Sequence, residues 1–196
     1  MIKKNFIRKN NLSRKSVQKL SKNFQKIIKE IRESIENPNN IFNVLSDNYK
    51  LNFKIKELKR FSKFNNLVII GMGGSILGSE AIYGFLKKKI KKKIYFFDDI
   101  NEQKISKFKK EVNISKTVFL VISKSGNTIE TLSNFFSLKI IEKVKKNIIV
   151  ISEKKDNILY SLSKKFNLFY VEHKDYIGGR YSVLSEVGIV PAYLMG

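Results

Sequence analysis

Five short apolar runs constrain the fold of this chain more than any other feature of its sequence. Each run is typical of a buried β-strand, and a lysine-rich helical pattern separates it from the next one. The runs lie at residues 67–70, 94–97, 117–122, 148–151 and 168–171. Continuously apolar strands that alternate with helices indicate a parallel sheet covered on both faces, and right-handed crossovers restrict its topology. The sequence therefore predicts an α/β fold with a doubly wound, five-stranded parallel sheet.

A helical arm is expected before the first of these runs. From Ser13 to about Ile35 the apolar residues keep helical spacing, and Ser13 is placed to cap the helix. Asn-Pro-Asn-Asn at residues 37–40 ends this helix, and a second helical piece is expected at about residues 52–64. We therefore assign residues 1–60 to a helical N-terminal arm.

A glycine-rich turn follows the first predicted strand. Residues 71–78 are Gly-Met-Gly-Gly-Ser-Ile-Leu-Gly, in which Gly71, Gly73 and Gly74 permit a tight turn and a close approach of backbone amides to a ligand. A helix that starts near Ser75 would direct its positive end to the same place. The turn favours an anion, but many doubly wound proteins need such a turn only to change direction, so both interpretations stay open.

A hydroxyl-rich loop follows the third predicted strand. Its residues 123–128 are Ser-Lys-Ser-Gly-Asn-Thr, whose hydroxyls, amides and ammonium suit a phosphate monoester. Asn127 and Glu130 have the spacing of a helix cap with a capping box. Because ligands of open parallel sheets bind at the carboxyl ends of strands, the two loops are expected to share one crevice at a switch point of the sheet. A dinucleotide is a minor alternative.

An arginine preceded by two glycines follows the fifth predicted strand. Gly178 and Gly179 make Arg180 easy to place, so its guanidinium could enter the same crevice and stabilise a developing oxyanion. Pairing of Arg180 with a carboxylate at a helix start is the open alternative. An apolar helix is expected to run from about Tyr181 to Met195.

The composition excludes several other classes of protein. The net charge is +22, but the basic residues are spread along the chain without an aromatic and basic recognition motif, so we expect no specific nucleic-acid partner. A positive field would instead attract anionic metabolites. No apolar run approaches the roughly 18 residues of a membrane span, and no secretory signal is evident, so a cytoplasmic protein without a membrane partner is expected. The absence of cysteine excludes disulfides, thiol catalysis and thiolate metal sites.

Taken together, the motifs at residues 71–78, 123–131 and 178–182 resemble the glucose-6-phosphate isomerase (phosphoglucose isomerase) family. The resemblance begins at about Asn37 and corresponds to the N-terminal sugar-isomerase (SIS) domain of that family. It implies a sugar-phosphate-binding SIS domain at residues 61–180. It also implies that residues 181–196 start a linking helix towards a second SIS domain.

The resemblance also implies an activity and a set of site residues. The family interconverts glucose 6-phosphate and fructose 6-phosphate, in glycolysis and gluconeogenesis, without a metal or an organic cofactor, and it forms homodimers. Arg180 would stabilise the enediolate intermediate. The residues implied to contact the sugar phosphate are Gly74, Ser75, Ser123, Lys124, Ser125, Gly126, Asn127 and Thr128.

Two departures from the family leave an alternative open. The family places its general base, a glutamate, and its ring-opening histidine in a second SIS domain, so we expect this chain to be an N-terminal portion that is inactive in isolation. His173, the only histidine, does not match that position and is expected to be structural. Gly126 and Asn127 stand where many members carry an aromatic residue and a threonine. The alternative is a non-catalytic phosphosugar-binding SIS module. Without a second domain, the apolar helix after Tyr181 is expected to be uncovered.

Overall fold

The computed structural model describes residues 13–196, and the chain divides into two compact units after Tyr49. In the first unit, helix α1 (Arg14–Glu36) is followed by a 3-10 turn at Ile41–Leu45. The Ser13 hydroxyl caps α1 by accepting a hydrogen bond from the backbone amide three residues later, at 3.1 Å. The predicted helix of the arm and its cap are therefore confirmed.

The second unit is built on one parallel sheet. Its strands are β1 (Asn66–Ile70), β2 (Lys93–Phe97), β3 (Thr117–Ile122), β4 (Ile148–Ser152) and β5 (Phe169–Glu172). They lie in the order β2-β1-β3-β4-β5, and every pair is parallel. Each strand boundary lies within one residue of its prediction. The chain leaves β1 for the edge at β2 and returns to β3 on the other side of β1, so the switch point lies between β1 and β3.

Helices cover both faces of this sheet. They are α2 (Ile55–Leu58), α3 (Leu77–Leu86), α4 (Glu102–Glu111), α5 (Ile129–Ser137), α6 (Ile140–Val144), α7 (Ile158–Phe166) and α8 (Glu186–Met195). Side chains of α4, α5 and α7 join Val68 and Ile70 of β1 in one apolar core, whereas α2, α3 and α8 cover Leu67 and Ile69 on the opposite face. Successive side chains of a strand point to opposite faces, which explains this division. The predicted doubly wound α/β fold is confirmed.

Two predictions about helices differ from the structure. The second helical piece is shorter than predicted, because α2 gives way to a 3-10 turn at Lys59–Phe61. The predicted helix after Tyr181 is divided, since residues Gly179–Leu184 form a 3-10 turn and α8 begins only after Ser185. The expectation that this apolar segment is uncovered is contradicted for most of α8, although Leu184 before it is 47% exposed. Val187, Val190 and Leu194 are at most 2% exposed, because α8 packs against the sheet within this unit.

Among the described residues, no helix combines the length and the hydropathy that crossing a bilayer requires.

Candidate functional site

The glycine-rich turn after β1 lies directly against the end of β3. The amide of Gly71 donates to the carbonyl of Phe97 at 3.2 Å, and a Cβ on Gly71 would lie 3.1 Å from the carbonyl oxygen of Ile122. Gly73 has a φ of +51°, which only glycine adopts without strain. Residues Gly73–Ser75 form a 3-10 turn, so α3 begins two residues later than predicted. The turn is therefore held beside the first residue of the second loop.

The hydroxyl groups of the second loop converge on one another. The Ser123 and Thr128 hydroxyl oxygens are 2.8 Å apart, and the Ser125 oxygen lies 3.4 Å from Thr128 and 3.5 Å from Ser123. The amide of Gly126 donates to the Ser123 hydroxyl at 3.1 Å, which fixes the buried serine. Hydroxyls so close together can donate to several oxygens of one phosphate group.

The start of α7 holds the same loop from the other side. Asn127 accepts a hydrogen bond from the backbone amide of Ile158 at 2.9 Å, and the amide of Leu159 donates to the carbonyl of Gly126 at 3.1 Å. The predicted capping box of Asn127 and Glu130 was therefore wrong. Thr128 is the residue that flanks α5, and no side chain caps that helix, because the oxygen of Asn127 is used by α7.

The arginine segment is in backbone contact with the glycine-rich turn. A Cβ on Gly74 would lie 2.3 Å from the carbonyl carbon of Gly179 and 2.7 Å from the amide nitrogen of Arg180. The buried Ser182 hydroxyl donates to the carbonyl of Gly179 at 2.6 Å and lies 3.3 Å from the carbonyl oxygen of Gly74. The Arg180 side chain is exposed, and no hydrogen bond or ion pair joins it to another described residue. Its guanidinium is thus available to an anion beside the turn.

The ammonium of Lys124 already has two partners. It donates to the backbone carbonyl of Asp175 at 2.6 Å and lies 3.5 Å from a carboxylate oxygen of Glu153. The other oxygen of Glu153 forms an ion pair with Lys155. Lys124 was expected to bind the phosphate through its side chain, but here that side chain joins the loop after β3 to the segment after β5.

Three residues of this region were missed by the sequence reasoning. Glu153 directly follows β4, and a carboxylate at the carboxyl end of a strand could have been predicted from the sequence to lie near the site. Asn157 caps α7 and contacts Gly126. Its position before an apolar helical pattern is typical of a helix cap. Ser182 belongs to the motif at residues 178–182, but no role was assigned to it. Among the described residues, no cluster of histidine and acidic side chains could hold a metal ion.

His173 is a buried structural residue rather than a member of the crevice. It is 2% exposed, its backbone amide donates to the carbonyl of Ser152 at 2.8 Å, and its Nδ1 lies 2.9 Å from the carbonyl of Lys174. Nδ1 must therefore carry a proton and donate. Burial, aided by the nearby Lys124 ammonium, lowers the pKa of His173 below its usual value of 6.5.

We expect His173 to make the folded protein less stable in weak acid. Because its pKa is lower in the folded than in the unfolded chain, the unfolded chain binds the proton more readily, and the free energy of unfolding falls as the pH drops through about 6.5. In His173→Gln, the part of this decrease in the free energy of unfolding that His173 causes should be absent. Urea unfolding at about pH 7.5 and about pH 5.5 measures it: the decrease should be larger for the parent chain than for the variant. Equal decreases would contradict the assignment.

Most of the chain is similar to known proteins of one family. The phosphoglucose isomerase family matches residues 25–196. A probable glucose-6-phosphate isomerase of Methanococcus maripaludis is 37% identical over 177 residues, which are 85% of this chain and 40% of that protein. The glucose-6-phosphate isomerase of Methanocaldococcus jannaschii is 33% identical over 146 residues, which are 72% of this chain and 36% of that protein. The chain thus spans 36–40% of the length of these relatives.

Two solved structures share the fold. The crystal structure of a glucose-6-phosphate isomerase from Chlamydia trachomatis superimposes with a TM-score of 0.61 at 27% identity, over 72% of this chain and 29% of that one. A hypothetical protein from Thermus thermophilus superimposes with a TM-score of 0.74 at 21% identity, over 92% of this chain and 46% of that one. At that identity, the second similarity concerns the fold alone.

Proposed function

Because the chain belongs to the phosphoglucose isomerase family, we propose that its crevice binds a sugar phosphate and serves the interconversion of glucose 6-phosphate and fructose 6-phosphate. The single observation that carries the proposal is the meeting of three loops at the carboxyl edge of the sheet. The backbone of Gly74 touches that of Gly179 and Arg180, while Gly71 lies against the end of β3 where the hydroxyl loop begins. The hydroxyl loop and an exposed arginine thereby lie beside one switch point, which supports an anion site there.

In this proposal the phosphate group lies at the hydroxyl loop. Ser123, Ser125 and Thr128 donate to its oxygens, the backbone of Gly126 and Asn127 shapes the loop, and α5 directs its positive end to the same place. Lys124 takes part in this loop only through its backbone, because its side chain bonds to the carbonyl of Asp175. The sugar would then pass Gly74 and Ser75 of the glycine-rich turn, of which Gly74 lies against the backbone of Arg180.

The proposed reaction moves one proton between adjacent carbons of the opened sugar. A base removes a proton from the carbon beside the carbonyl, the electron pair of that C–H bond forms a carbon–carbon double bond, and the π pair of the carbonyl moves to its oxygen, which gives an enediolate. The proton is then delivered to the former carbonyl carbon, while the hydroxyl proton of the adjacent carbon passes to the first oxygen, so that the adjacent carbon becomes the new carbonyl. The guanidinium of Arg180, which stays charged at any physiological pH, would stabilise the enediolate oxygen.

The general base is proposed to lie outside the described residues. Glu153 is mostly buried and pairs with two lysines, and Glu186 is fully buried and accepts a hydrogen bond from the amide of Asn52 at 2.9 Å. Neither carboxylate is free to take a proton from carbon. We accordingly propose that residues 13–196 alone bind the sugar phosphate without turning it over. The homodimer and the cytoplasmic location implied by the family belong to the same proposal.

Calorimetric binding to this chain tests the proposal. We expect 6-phosphogluconate, whose carboxylate carries negative charge near the position of the enediolate, to bind at least about tenfold more tightly than inorganic phosphate, because Arg180 adds a charge-assisted hydrogen bond. Arg180→Met should remove this preference and leave the affinity for inorganic phosphate unchanged. Ser123→Ala should weaken the binding of both ligands by about fivefold or more. Fructose 6-phosphate should bind and be converted no faster than in buffer.

A control variant and two contrary outcomes make this test decisive. Lys88→Met removes an exposed positive charge next to α3 and should change neither affinity. Binding of both ligands without a preference that depends on Arg180 would favour a non-catalytic phosphosugar-binding module. No saturable binding of either ligand would refute a sugar-phosphate site in this chain.

A further inference from the structure

The side chain of Lys124 crosses from the hydroxyl loop to the segment that carries Arg180. Its ammonium donates to the carbonyl of Asp175 at 2.6 Å, a short distance for a bond to a neutral acceptor, and Asp175 precedes Arg180 by five residues in the sequence. The Lys124 side chain is 30% exposed, and that of its second partner, Glu153, is only 9% exposed. The ammonium is therefore held in partly desolvated surroundings and not as a free surface charge.

Further contacts fix both ends of this crossing. Glu153 is oriented by its ion pair with Lys155 and by a backbone hydrogen bond from its amide to the carbonyl of Lys124, at 3.0 Å. At the other end, the carboxylate of Asp175 accepts a hydrogen bond from the amide of Tyr176 at 2.8 Å, which turns the backbone there. A single side chain thus joins the chain after β3 to the chain after β5, with the end of β4 between them.

We propose that Lys124 is a positioning residue that fixes the Arg180 segment relative to the hydroxyl loop, and that its ammonium is not a ligand of the phosphate. The functional part of this inference rests on the proposed function. The contact between Gly74 and Gly179 supports the Arg180 segment on one side, and Lys124 supports it at Asp175 on the other. The distance between the phosphate site and the guanidinium is then set before a ligand arrives, which lowers the entropic cost of binding a ligand that contacts both.

The positioning role predicts a local change in the protein without any ligand. In Lys124→Met, which keeps the length of the side chain but not its charge, the amides of Tyr176 and Ile177 should exchange with deuterium about tenfold faster, because one charge-assisted hydrogen bond that holds the segment is lost. Lys154→Met removes an exposed lysine of the neighbouring loop whose side chain bonds to neither Glu153 nor Asp175, and it should leave the exchange of these amides unchanged. Lys124→Arg keeps a donor at this place and should restore most of the protection. Unchanged exchange in Lys124→Met would overturn the proposal.

Binding measurements on the same variants examine the functional part. Lys124→Met should retain the affinity for inorganic phosphate within about twofold, but lose about fivefold in affinity for 6-phosphogluconate, since Arg180 is no longer held in place. If the ammonium were instead a direct ligand, both affinities would fall together by about tenfold, and that result would overturn the proposal. If the parent chain binds neither ligand, the proposed function fails, and the exchange experiment still decides whether Lys124 fixes the segment.

Discussion

Gly74→Ala is expected to destabilise the protein by about 3 kcal/mol and to abolish the preference for 6-phosphogluconate over inorganic phosphate. The added methyl carbon would lie 2.3 Å from the carbonyl carbon of Gly179 and 2.7 Å from the amide nitrogen of Arg180. Both are backbone atoms, so neither can rotate away as the end of a flexible side chain would. The Arg180 segment must therefore separate from the glycine-rich turn, and the hydrogen bond from Ser182 to Gly179 is expected to be disturbed with it.

Urea unfolding of Gly74→Ala and calorimetric titration with both ligands measure these two effects. Gly84→Ala is the matched control, because Gly84 lies in α3, and nothing lies within 4 Å of a Cβ added to it. That change should stabilise the protein by about 0.5–1 kcal/mol, since alanine is the better helix former. A Gly74→Ala chain that unfolds like the control and keeps its ligand preference would show that the contact between the two loops is not required.

The strands and the closeness of the two loops followed from the sequence because both depend on general rules of parallel sheets. Strands buried on both faces are continuous apolar runs, so their ends are visible where the first polar or glycine residue appears, as at Gly71 and Ser123. The closeness of the two loops was expected because ligands of parallel sheets bind at the carboxyl ends of the strands, on either side of a switch point. The strand order confirms that the two loops lie beside the same switch point.

The side-chain partners within the crevice did not follow from the sequence. Asn127 was expected to cap the helix next to it, but it bonds to Ile158, 31 residues away. Lys124 bonds to Asp175, 51 residues away. A capping pattern reports only what a residue can do with its near neighbours, whereas the fold offers each polar side chain distant partners as well. The burial of α8 was missed for a related reason, since no local pattern shows which surface an apolar helix covers.

Gly126→Ala is expected to remove most of the phosphate affinity, by about tenfold or more, and to cost about 3 kcal/mol of stability. Gly126 has a φ of +69°, where alanine is strained, and a Cβ there would lie 1.8 Å from the side-chain oxygen of Asn157. Asn157 cannot easily turn away. Its amide donates to the carbonyls of Glu153 and Lys155, and its oxygen caps α7 by accepting from the amide of Tyr160. The loop must move instead, and the three hydroxyls should lose their alignment.

A double-mutant cycle separates the two causes of this loss. Asn157→Gly removes the atoms that would collide with the new methyl group, so Gly126→Ala should cost less in that background than in the parent chain. The remaining cost should be about 1–2 kcal/mol, which is the strain of a left-handed conformation for alanine. Urea unfolding and calorimetry with inorganic phosphate are measured on all four chains. Strictly additive effects would contradict the collision with Asn157. A phosphate affinity that survives Gly126→Ala would show instead that the hydroxyls bind the anion without the loop geometry seen here.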